Sequence, residues 1–312
     1  MWVNYGFENL ELDQPTGVTI GAFDGVHRGH KALIRRMVTE ARRQAMMPVV
    51  LTFDPLPRQV ADRGENGLLL TLEERLAHIK TLEVRGVVIQ PFNAALMRTT
   101  AESFVRQMIN HLALAGLWIG PDFRFGRDRE GDIGYLKEAG QRLGFEAHAL
   151  RETITWKGKP VRSSRIRRAL KEGNVEEANG CLGYPYHLTG TVVHGDRRGR
   201  ELGFPTANLQ IPSECLLPAN GVYVCRVHLR EGIYHAITNV GTRPTFNDSP
   251  PTVEAYLLDF SGDLYGSWMR VDFLTYLRPE ERFASADELI EQMNRDEVQA
   301  RRWLERGTRS TL

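Results

Sequence analysis

The chain has 312 residues, of which 42% are hydrophobic and 25% are charged, and its formal net charge is +1. This near-neutral balance gives no electrostatic case for nucleic acid or a membrane surface as a partner, and no stretch approaches the roughly 18 apolar residues of a membrane-spanning helix. Only six of the 40 basic residues are lysines, the last being Lys171. A P-loop lysine is therefore excluded from the second half, and the pattern GxxxxGK[ST] occurs nowhere in the chain.

The N-terminal residues MWVNYGFENLELDQP have neither the basic region nor the apolar region of a signal peptide. The three cysteines, Cys181, Cys215 and Cys225, form no CxxC spacing. We expect them to be reduced thiols of a cytoplasmic protein, without a disulfide or metal role.

The first half of the chain alternates strand-like and helix-like segments. Strand, helix and strand at this spacing predict βαβ units and a doubly wound parallel sheet. Ligands bind such sheets at the carboxyl ends of the strands, where the strings GAFDGVHRGH, TFDPLP and GPDFRFG fall. The predicted strands are 18–20, 48–53, 86–89 and 116–119, and the predicted helices run from His30 onward, over 72–82 and over 100–114.

Short alternating segments punctuated by Gly and Pro replace this pattern in the second half. They predict a small antiparallel barrel, followed by an amphipathic helix from Ser285 to about Arg306. A helix around 165–182 leads into the join, so we expect two domains, 1–184 and 185–312. The predicted strands are 187–194, 221–229, 234–240, 252–259 and 269–277, and the apolar stripe of the last helix is Leu289, Ile290, Met293, Val298 and Leu304.

The string GAFDGVHRGH joins the first strand to the first helix. If the helix begins near His27, then His27 and His30 project from one face of its first turn. Backbone N–H groups and the helix dipole favour an anion there, and two imidazoles add donors that can follow charge developing on a phosphate. Gly21, Gly25 and Gly29 let the backbone approach a nucleotide closely. Taken alone, the same string also suits a loop with two surface histidines.

An HxGH motif after a GxFDG turn resembles the nucleotidylyltransferase superfamily, which implies a Rossmann-like domain. The resemblance implies that His27 and His30 stabilise the transition state at the α-phosphate of a nucleoside triphosphate, and that Phe23 and Asp24 also belong to the ATP site. The string VRSSRIR resembles the VSSTRIR form of a second superfamily motif, with Arg162 and Ser164 in place of its first Ser and its Thr. A phosphate clamp is therefore expected at Ser163, Ser164, Arg165 and Arg167, whereas the string taken alone would favour an N-cap on a surface helix.

Three further strings, TFDPLP, PFNAALMRTTAESFV and GPDFRFGRDREGD, resemble the adenylyltransferase module of bacterial bifunctional riboflavin kinase/FMN adenylyltransferases. The resemblance makes Asp122 and Phe123 candidates for the flavin side of this site. The family's usual string is TFxPHP, and this chain has Leu56 where the histidine belongs.

The run GDRRGRELGFPTAN carries Gly195, Gly199 and Gly203 four residues apart, which suits a flexible loop around phosphates or, equally, a hairpin loop followed by a turn. Thr206 and Asn208 offer hard oxygen ligands that suit Mg²⁺. The string GFPTAN resembles the riboflavin kinase fingerprint, which implies that these residues and Pro205 form the ATP and metal site of a kinase.

Glu254 lies in an otherwise apolar strand-like segment, where a carboxylate is either a satisfied structural group or a general base. The strings NVGTRPTF and VEAYLLDFSGDLYG resemble later motifs of the same kinase family, and so do the stretch 278–283 and the last helix with Asp296. The resemblance implies that Glu254 takes the proton from the 5′-hydroxyl of riboflavin during attack on the γ-phosphate of ATP.

These resemblances cover nearly the whole chain and imply a cytoplasmic transferase that makes FMN from riboflavin and FAD from FMN, with ATP and Mg²⁺. We expect a monomer or weak homo-oligomer without nucleic-acid or membrane partners. One alternative is a riboflavin kinase whose adenylyltransferase module is inactive, which Leu56 would favour. Others are a non-catalytic flavin-binding regulator, against which Glu254 argues, and transfer of another nucleotide such as CMP.

Overall fold

The computed structural model of the chain describes residues 1–7, 10–61, 67–150, 152–195, 202–241 and 252–309. The chain divides into two compact units, Met1–Ser163 and Ser164–Leu312. This division lies earlier in the chain than the predicted boundary between residues 184 and 185. The two helices before that boundary belong with the second unit, where the carbonyl of Leu170 accepts a hydrogen bond from the Ala219 N–H at 2.8 Å.

The first unit contains a six-stranded parallel sheet in the order β1-β4-β3-β2-β5-β6. The strand order reverses around β2, so the loops after β2 and β5 leave the sheet at its topological switch point, where open α/β sheets bind ligands. The strands are β1 (Trp2–Tyr5), β2 (Thr16–Ile20), β3 (Met47–Phe53), β4 (Gly86–Gln90), β5 (Leu114–Ile119) and β6 (Glu146–Ala149).

Three amphipathic helices, α1 (Arg28–Arg43), α5 (Ala101–Leu112) and α6 (Ile133–Leu143), pack their apolar faces on this sheet. Every residue of β2 is buried, which is typical of a strand covered on both faces. The helices are α1 (Arg28–Arg43), α2 (Pro57–Ala61), α3 (Leu72–Lys80), α4 (Ala94–Arg98), α5 (Ala101–Leu112) and α6 (Ile133–Leu143), followed by the short hairpin strands β7 (Thr155–Trp156) and β8 (Lys159–Pro160). The buried side of α1 consists of apolar residues spaced three and four positions apart, Leu33, Ile34, Met37, Val38 and Ala41.

The second unit begins with α7 (Ser163–Lys171, whose first residue belongs to the first unit) and α8 (Val175–Leu182). A closed six-stranded antiparallel barrel follows, in the order β10-β13-β12-β11-β14-β9, and then the terminal helix. Its elements are β9 (His187–Val193), β10 (Thr206–Gln210), β11 (Gly221–His228), β12 (Ile233–Gly241), β13 (Thr252–Leu257), β14 (Trp268–Arg278) and α9 (Ala286–Arg309).

The fold class predicted from the sequence is confirmed, but several elements differ. The predicted helix over 100–114 ends at Leu112, because Ala113 adopts a left-handed conformation with φ 45° and Leu114 then starts β5. The single helix expected around 165–182 is two helices, separated at Gly173 with φ 74° and recapped by Asn174. The structure also contains β1, β6 and β10, which the sequence analysis did not predict.

The predicted apolar stripe of α9 is wrong at Val298, which is 49% exposed. Ala300 is buried instead, and so is the carboxylate of Asp296. Among the described residues, no helix combines the length and the apolar character needed to cross a membrane.

Candidate active sites

The two histidines of HxGH lie at the start of α1, where β2 ends. His27 is the N-cap of this helix, and its Nδ1 accepts a hydrogen bond from the His30 N–H at 3.2 Å. The two rings stack with their centroids 3.6 Å apart. A Cβ at Gly29 would lie 3.2 Å from the His27 ring, so this glycine leaves room for the stacked pair. The first helical turn holds no acidic residue, which keeps its positive dipole end available to an anion.

The loop before α1 uses backbone conformations that hold it close to the sheet. Phe23, Gly25 and Val26 all have positive φ, of 48°, 81° and 30°. Phe23 is buried and its ring meets the His30 ring edge-on, with 5.3 Å between centroids. A Cβ at Gly21 would lie 2.9 Å from the Phe23 ring. The glycines of this string therefore serve a tight fold of the loop itself.

His30 is held in its neutral form. Burial of the ring, the neighbouring His27 and the Arg75 guanidinium all lower the pKa of His30 well below the usual range of histidine. Its Nδ1 is buried without a hydrogen-bond partner among the described residues. An imidazole nitrogen in this state remains free to bond a ligand, and an unpaired buried polar atom favours one.

Arg75 is a residue of this site that the sequence analysis missed. It lies on α3, is only 2% exposed, and donates to the carbonyls of Ala22 and Phe53 at 2.9 Å each. Arg75 thereby ties the loop after β2 to the end of β3. Burial lowers the pKa of its guanidinium, while Asp24 and Asp54 oppose that shift. The sequence feature that could have identified Arg75 is a charged residue four positions before Ile79, on the core-facing side of a predicted helix.

Asp24 is 4% exposed and acts within the loop structure. Its carboxylate accepts from the Leu69 N–H at 3.0 Å, and its carbonyl accepts from the Ser163 hydroxyl at 3.1 Å. The carboxylate therefore anchors the segment after residue 66, and the carbonyl anchors the end of the first unit.

A cavity of about 530 Å³ opens beside the histidine loop. Gly21 of that loop lines it, together with the predicted flavin residues Asp122 and Phe123. Phe123 and Phe125 stack with 5.6 Å between ring centroids. The cavity is rich in aromatic side chains, which suits a flat ring system. These side chains are Phe53, Phe92, Phe104, Phe123 and Phe125.

The two departures from the family motifs lie in different surroundings. Leu56 is 2% exposed and packs in the hydrophobic core with Leu51, Phe53 and Leu68. Arg162 lies at the surface, and its guanidinium meets the Asp122 carboxylate at 3.2 Å. The side chain at 56 is thus a core residue in this chain, whereas the one at 162 is a charge next to the aromatic cavity.

The residues predicted for the phosphate clamp fall on both sides of the division of the chain. Ser163 closes the first unit, where its hydroxyl bonds Asp24 as described, and Ser164 opens the second unit. Arg165 is buried on α7, and its Nε donates to the Glu177 carboxylate at 2.8 Å. Arg167, on the same helix, is 4% exposed.

In the second unit, neighbouring strands bring polar residues into one row. Asn208 on β10 pairs in register with Glu254 on β13, and Glu254 pairs with Asn239 on β12. Side chains of directly paired residues point to the same face of a sheet, so these three lie side by side. The alternate residues of β13, such as Ala255, are buried inside the barrel. Glu254 therefore faces outward, away from the barrel interior.

Two cavities meet beside this row. One, of about 360 Å³, is lined by Glu254 and Asn239 together with Tyr256, Phe283 and Met293. The other, of about 510 Å³, is lined by four residues predicted for the kinase ATP site, Gly195, Pro205, Thr206 and Asn208. Thr206 lines both cavities. A group in one cavity can therefore meet a group in the other at Thr206, next to Glu254.

Two of the three glycines predicted for this site lie among the described residues, and the backbone at each of them favours glycine. A Cβ at Gly195 would lie 2.3 Å from the Asn208 amide nitrogen, so the backbone at 195 approaches the Asn208 side chain in a way only glycine allows. Gly203 has φ 87°, which also favours glycine. Gly199 lies outside the described residues.

A buried ion pair closes one wall of the smaller cavity. Arg278 at the end of β14 donates through Nε and Nη2 to the Asp296 carboxylate at 2.9 and 2.8 Å. The guanidinium also lies 5.9 Å from the centroid of the Phe283 ring. This pair joins the barrel to α9, and the helix forms part of the cavity wall.

Two protein-family models match the chain. The model for FAD synthetase matches residues 10–165 and the model for riboflavin kinase matches residues 182–304. The first match contains the histidine loop and the aromatic cavity, and the second contains the barrel and most of α9.

Curated relatives cover nearly the whole chain. A bifunctional riboflavin kinase/FMN adenylyltransferase from Escherichia coli is 38% identical over 301 residues, which cover 95% of this chain and 96% of the relative. One from Bacillus subtilis is 32% identical and covers 92% of each chain. A solved structure described as a macrolide-efflux protein from Streptococcus pneumoniae is 30% identical, with a TM-score of 0.87 and coverage of 96% of this chain and 99% of that one.

Proposed function

This chain belongs to the family of bifunctional riboflavin kinases/FMN adenylyltransferases, and we propose that each of its two units holds the active site of one reaction. The chain is a transferase that uses ATP to convert riboflavin to FMN and FMN to FAD.

The kinase reaction is assigned to the paired cavities of the barrel. Riboflavin lies in the cavity lined by Tyr256 and Phe283, and ATP lies in the cavity lined by Gly195 and Asn208. The Glu254 carboxylate accepts the proton of the 5′-hydroxyl as that oxygen bonds to the γ-phosphorus and ADP leaves. The observation that carries this assignment is that the two cavities share Thr206 beside Glu254.

Mg²⁺ fits the residues present at this junction. Thr206 offers a hydroxyl and Asn208 a carbonyl oxygen, while no cluster of three or more His, Cys, Asp or Glu side chains suited to a metal occurs in the described ranges. Such a sparse donor set suits an ion that keeps several waters and binds largely through substrate phosphates. When bound, Mg²⁺ would neutralise charge on the β- and γ-phosphates.

The adenylyltransferase reaction is assigned to the loop between β2 and α1. The flavin ring of FMN lies in the aromatic cavity, and its phosphate oxygen bonds to the α-phosphorus of ATP while pyrophosphate leaves. His27 and His30 donate hydrogen bonds to the charge that develops on the α-phosphate. Ser163 contacts the outer phosphates, and Asp122 and Phe123 hold the flavin. The other residues predicted for the phosphate clamp, Ser164, Arg165 and Arg167, belong to the second unit and stay predictions.

The test is a time course of the purified chain with riboflavin, ATP and Mg²⁺, with the flavins separated by chromatography. FMN followed by FAD is the expected result. FMN alone would contradict the adenylyltransferase assignment, and no FMN would contradict the kinase assignment. Replacement of ATP by CTP, with FMN supplied, tests the identity of the transferred nucleotide, and we expect no product.

Some expectations from the sequence are neither tested by the fold nor needed by these reactions. The cytoplasmic location, the monomer or weak homo-oligomer, and the lack of nucleic-acid and membrane partners stay predictions.

A further inference from the structure

At position 162 the VSSTRIR form of the motif has a serine, whereas this chain has an arginine. It is bonded to neither the core nor a buried partner. Its guanidinium lies 3.2 Å from the Asp122 carboxylate, and the two side chains are 63% and 77% exposed. An ion pair this exposed contributes little to stability, so folding gives no reason for an arginine here.

Arg162 neighbours residues of both parts of the proposed adenylyltransferase site, the aromatic cavity and the histidine loop. On one side, its partner Asp122 lines the aromatic cavity. On the other side, the next residue, Ser163, bonds through its hydroxyl to the carbonyl of Asp24 in the histidine loop. Through Asp122 and Ser163, Arg162 thus adjoins both the cavity proposed for the flavin ring and the loop that carries the histidines.

We propose that Arg162 binds the 5′-phosphate of FMN and selects the phosphorylated flavin over riboflavin. This inference rests on the proposed adenylyltransferase function and deepens it. A guanidinium binds a phosphate through two parallel N–H···O bonds, and such charge-assisted bonds are about twice as strong as neutral ones. Riboflavin has no phosphate and therefore gains nothing from Arg162.

Asp122 has a defined part in this arrangement. Without substrate, its carboxylate, which lines the cavity, pairs with the Arg162 guanidinium. If Arg162 is removed, no positive charge compensates the Asp122 carboxylate, which then repels the phosphate dianion of FMN because like charges repel. Loss of the arginine is therefore expected to weaken FMN binding in two ways, by removing the bonds to phosphate and by exposing the phosphate to the Asp122 charge. Loss of both side chains is expected to weaken FMN binding less than loss of the arginine alone.

The experiment measures FAD formation from supplied FMN in the full chain, with FMN varied at saturating ATP and then ATP varied at saturating FMN. For Arg162→Ser we expect the KM for FMN to rise about tenfold or more, while the KM for ATP changes less than about twofold. Arg162→Ser/Asp122→Asn should recover part of the loss, and Arg162→Lys should keep part of the affinity. Riboflavin phosphorylation by the same preparation should be unchanged.

Arg106→Ser is the matched control, because Arg106 is similarly exposed and pairs with Glu102 at 2.8 Å outside the cavity. An unchanged KM for FMN in Arg162→Ser would overturn the inference. An equal rise in the KM for ATP would also overturn it, since Arg162 would then belong to the nucleotide clamp. If the wild-type chain forms no FAD from FMN, the proposed function fails instead, so the two failures are distinguishable.

Discussion

The two candidate sites are built on different kinds of backbone. In the barrel, Asn208, Glu254 and Asn239 are aligned by the hydrogen-bond register of three adjacent strands. In the α/β unit, His27 and His30 are aligned by a loop with three positive φ angles, at Phe23, Gly25 and Val26, and by a buried arginine from a separate helix.

Because of this difference, we expect substitutions to act differently at the two sites. In the barrel, the hydrogen-bond register of the strands fixes the position of each side chain. Replacement of one side chain in this row should therefore remove its chemistry and leave the backbone in place. The histidine loop depends on its neighbours, so a change there can act through packing as well as chemistry. Four variants and measurements test this contrast, in order of expected effect.

Glu254→Gln should have the largest effect. It keeps the size of the side chain but removes the general base, so FMN formation should fall by on the order of 10²–10⁴. Initial rates of riboflavin phosphorylation measure this loss, while FAD formation from supplied FMN should continue at the wild-type rate.

Glu231→Gln is the control, since Glu231 is an exposed carboxylate in the turn between β11 and β12. A Glu254→Gln enzyme that still made FMN at the wild-type rate would leave Glu254 as a structural group and remove it from the mechanism.

His30→Ala should have the converse effect, with FAD formation from FMN reduced by on the order of 10²–10³ because a donor to the developing phosphate charge is lost. FMN formation should stay unchanged. His111→Ala serves as the control, since the His111 ring bonds the Leu10 carbonyl at 3.1 Å in the same unit, outside the cavity lining. Suppression of both activities in a folded His30→Ala chain would contradict the separation of the two sites.

The lowered pKa of His30 predicts how stability depends on pH. As the pH falls through about 6.5, the usual value of histidine, the unfolded chain binds a proton at this residue that the folded chain does not bind. The stabilisation is therefore present above that pH and decreases below it. The thermal midpoint should fall more between about pH 7.5 and 5.5 for the wild type than for His30→Asn, and an equal fall would show that His30 titrates normally in the folded chain.

Leu56→His should have the smallest effect on activity. The leucine is buried in the core, so a histidine there should lower the free energy of unfolding by about 1–3 kcal/mol, with no gain in FAD formation. Leu56→Met, which keeps the volume, should cost under about 1.5 kcal/mol. A sharp rise in FAD formation with Leu56→His would instead favour an adenylyltransferase impaired by the leucine. Chemical denaturation and initial rates measure the two effects.

Much of the fold was predictable because its signals are local. The buried face of α1 follows from apolar residues three and four positions apart, and the N-cap of α3 follows from Thr71 with Glu74, which form a capping box. The strand β10 was missed because Thr206 and Asn208 stand in a run of Gly and Pro. Its strand conformation comes from pairing with β9 and β13, and β13 is distant in sequence.

The sequence by itself determined the residue types and the spacing that chemistry needs: two histidines around a glycine, and a carboxylate in an alternating strand. These are properties of a few adjacent residues, and a helix or strand period carries them. Only the tertiary structure decided that Arg75 bonds the histidine loop, that Leu56 packs into the core, and that Arg162 meets Asp122. Each of these depends on contacts across many residues of chain, and those contacts form only when the sheet brings the loops after different strands to one edge.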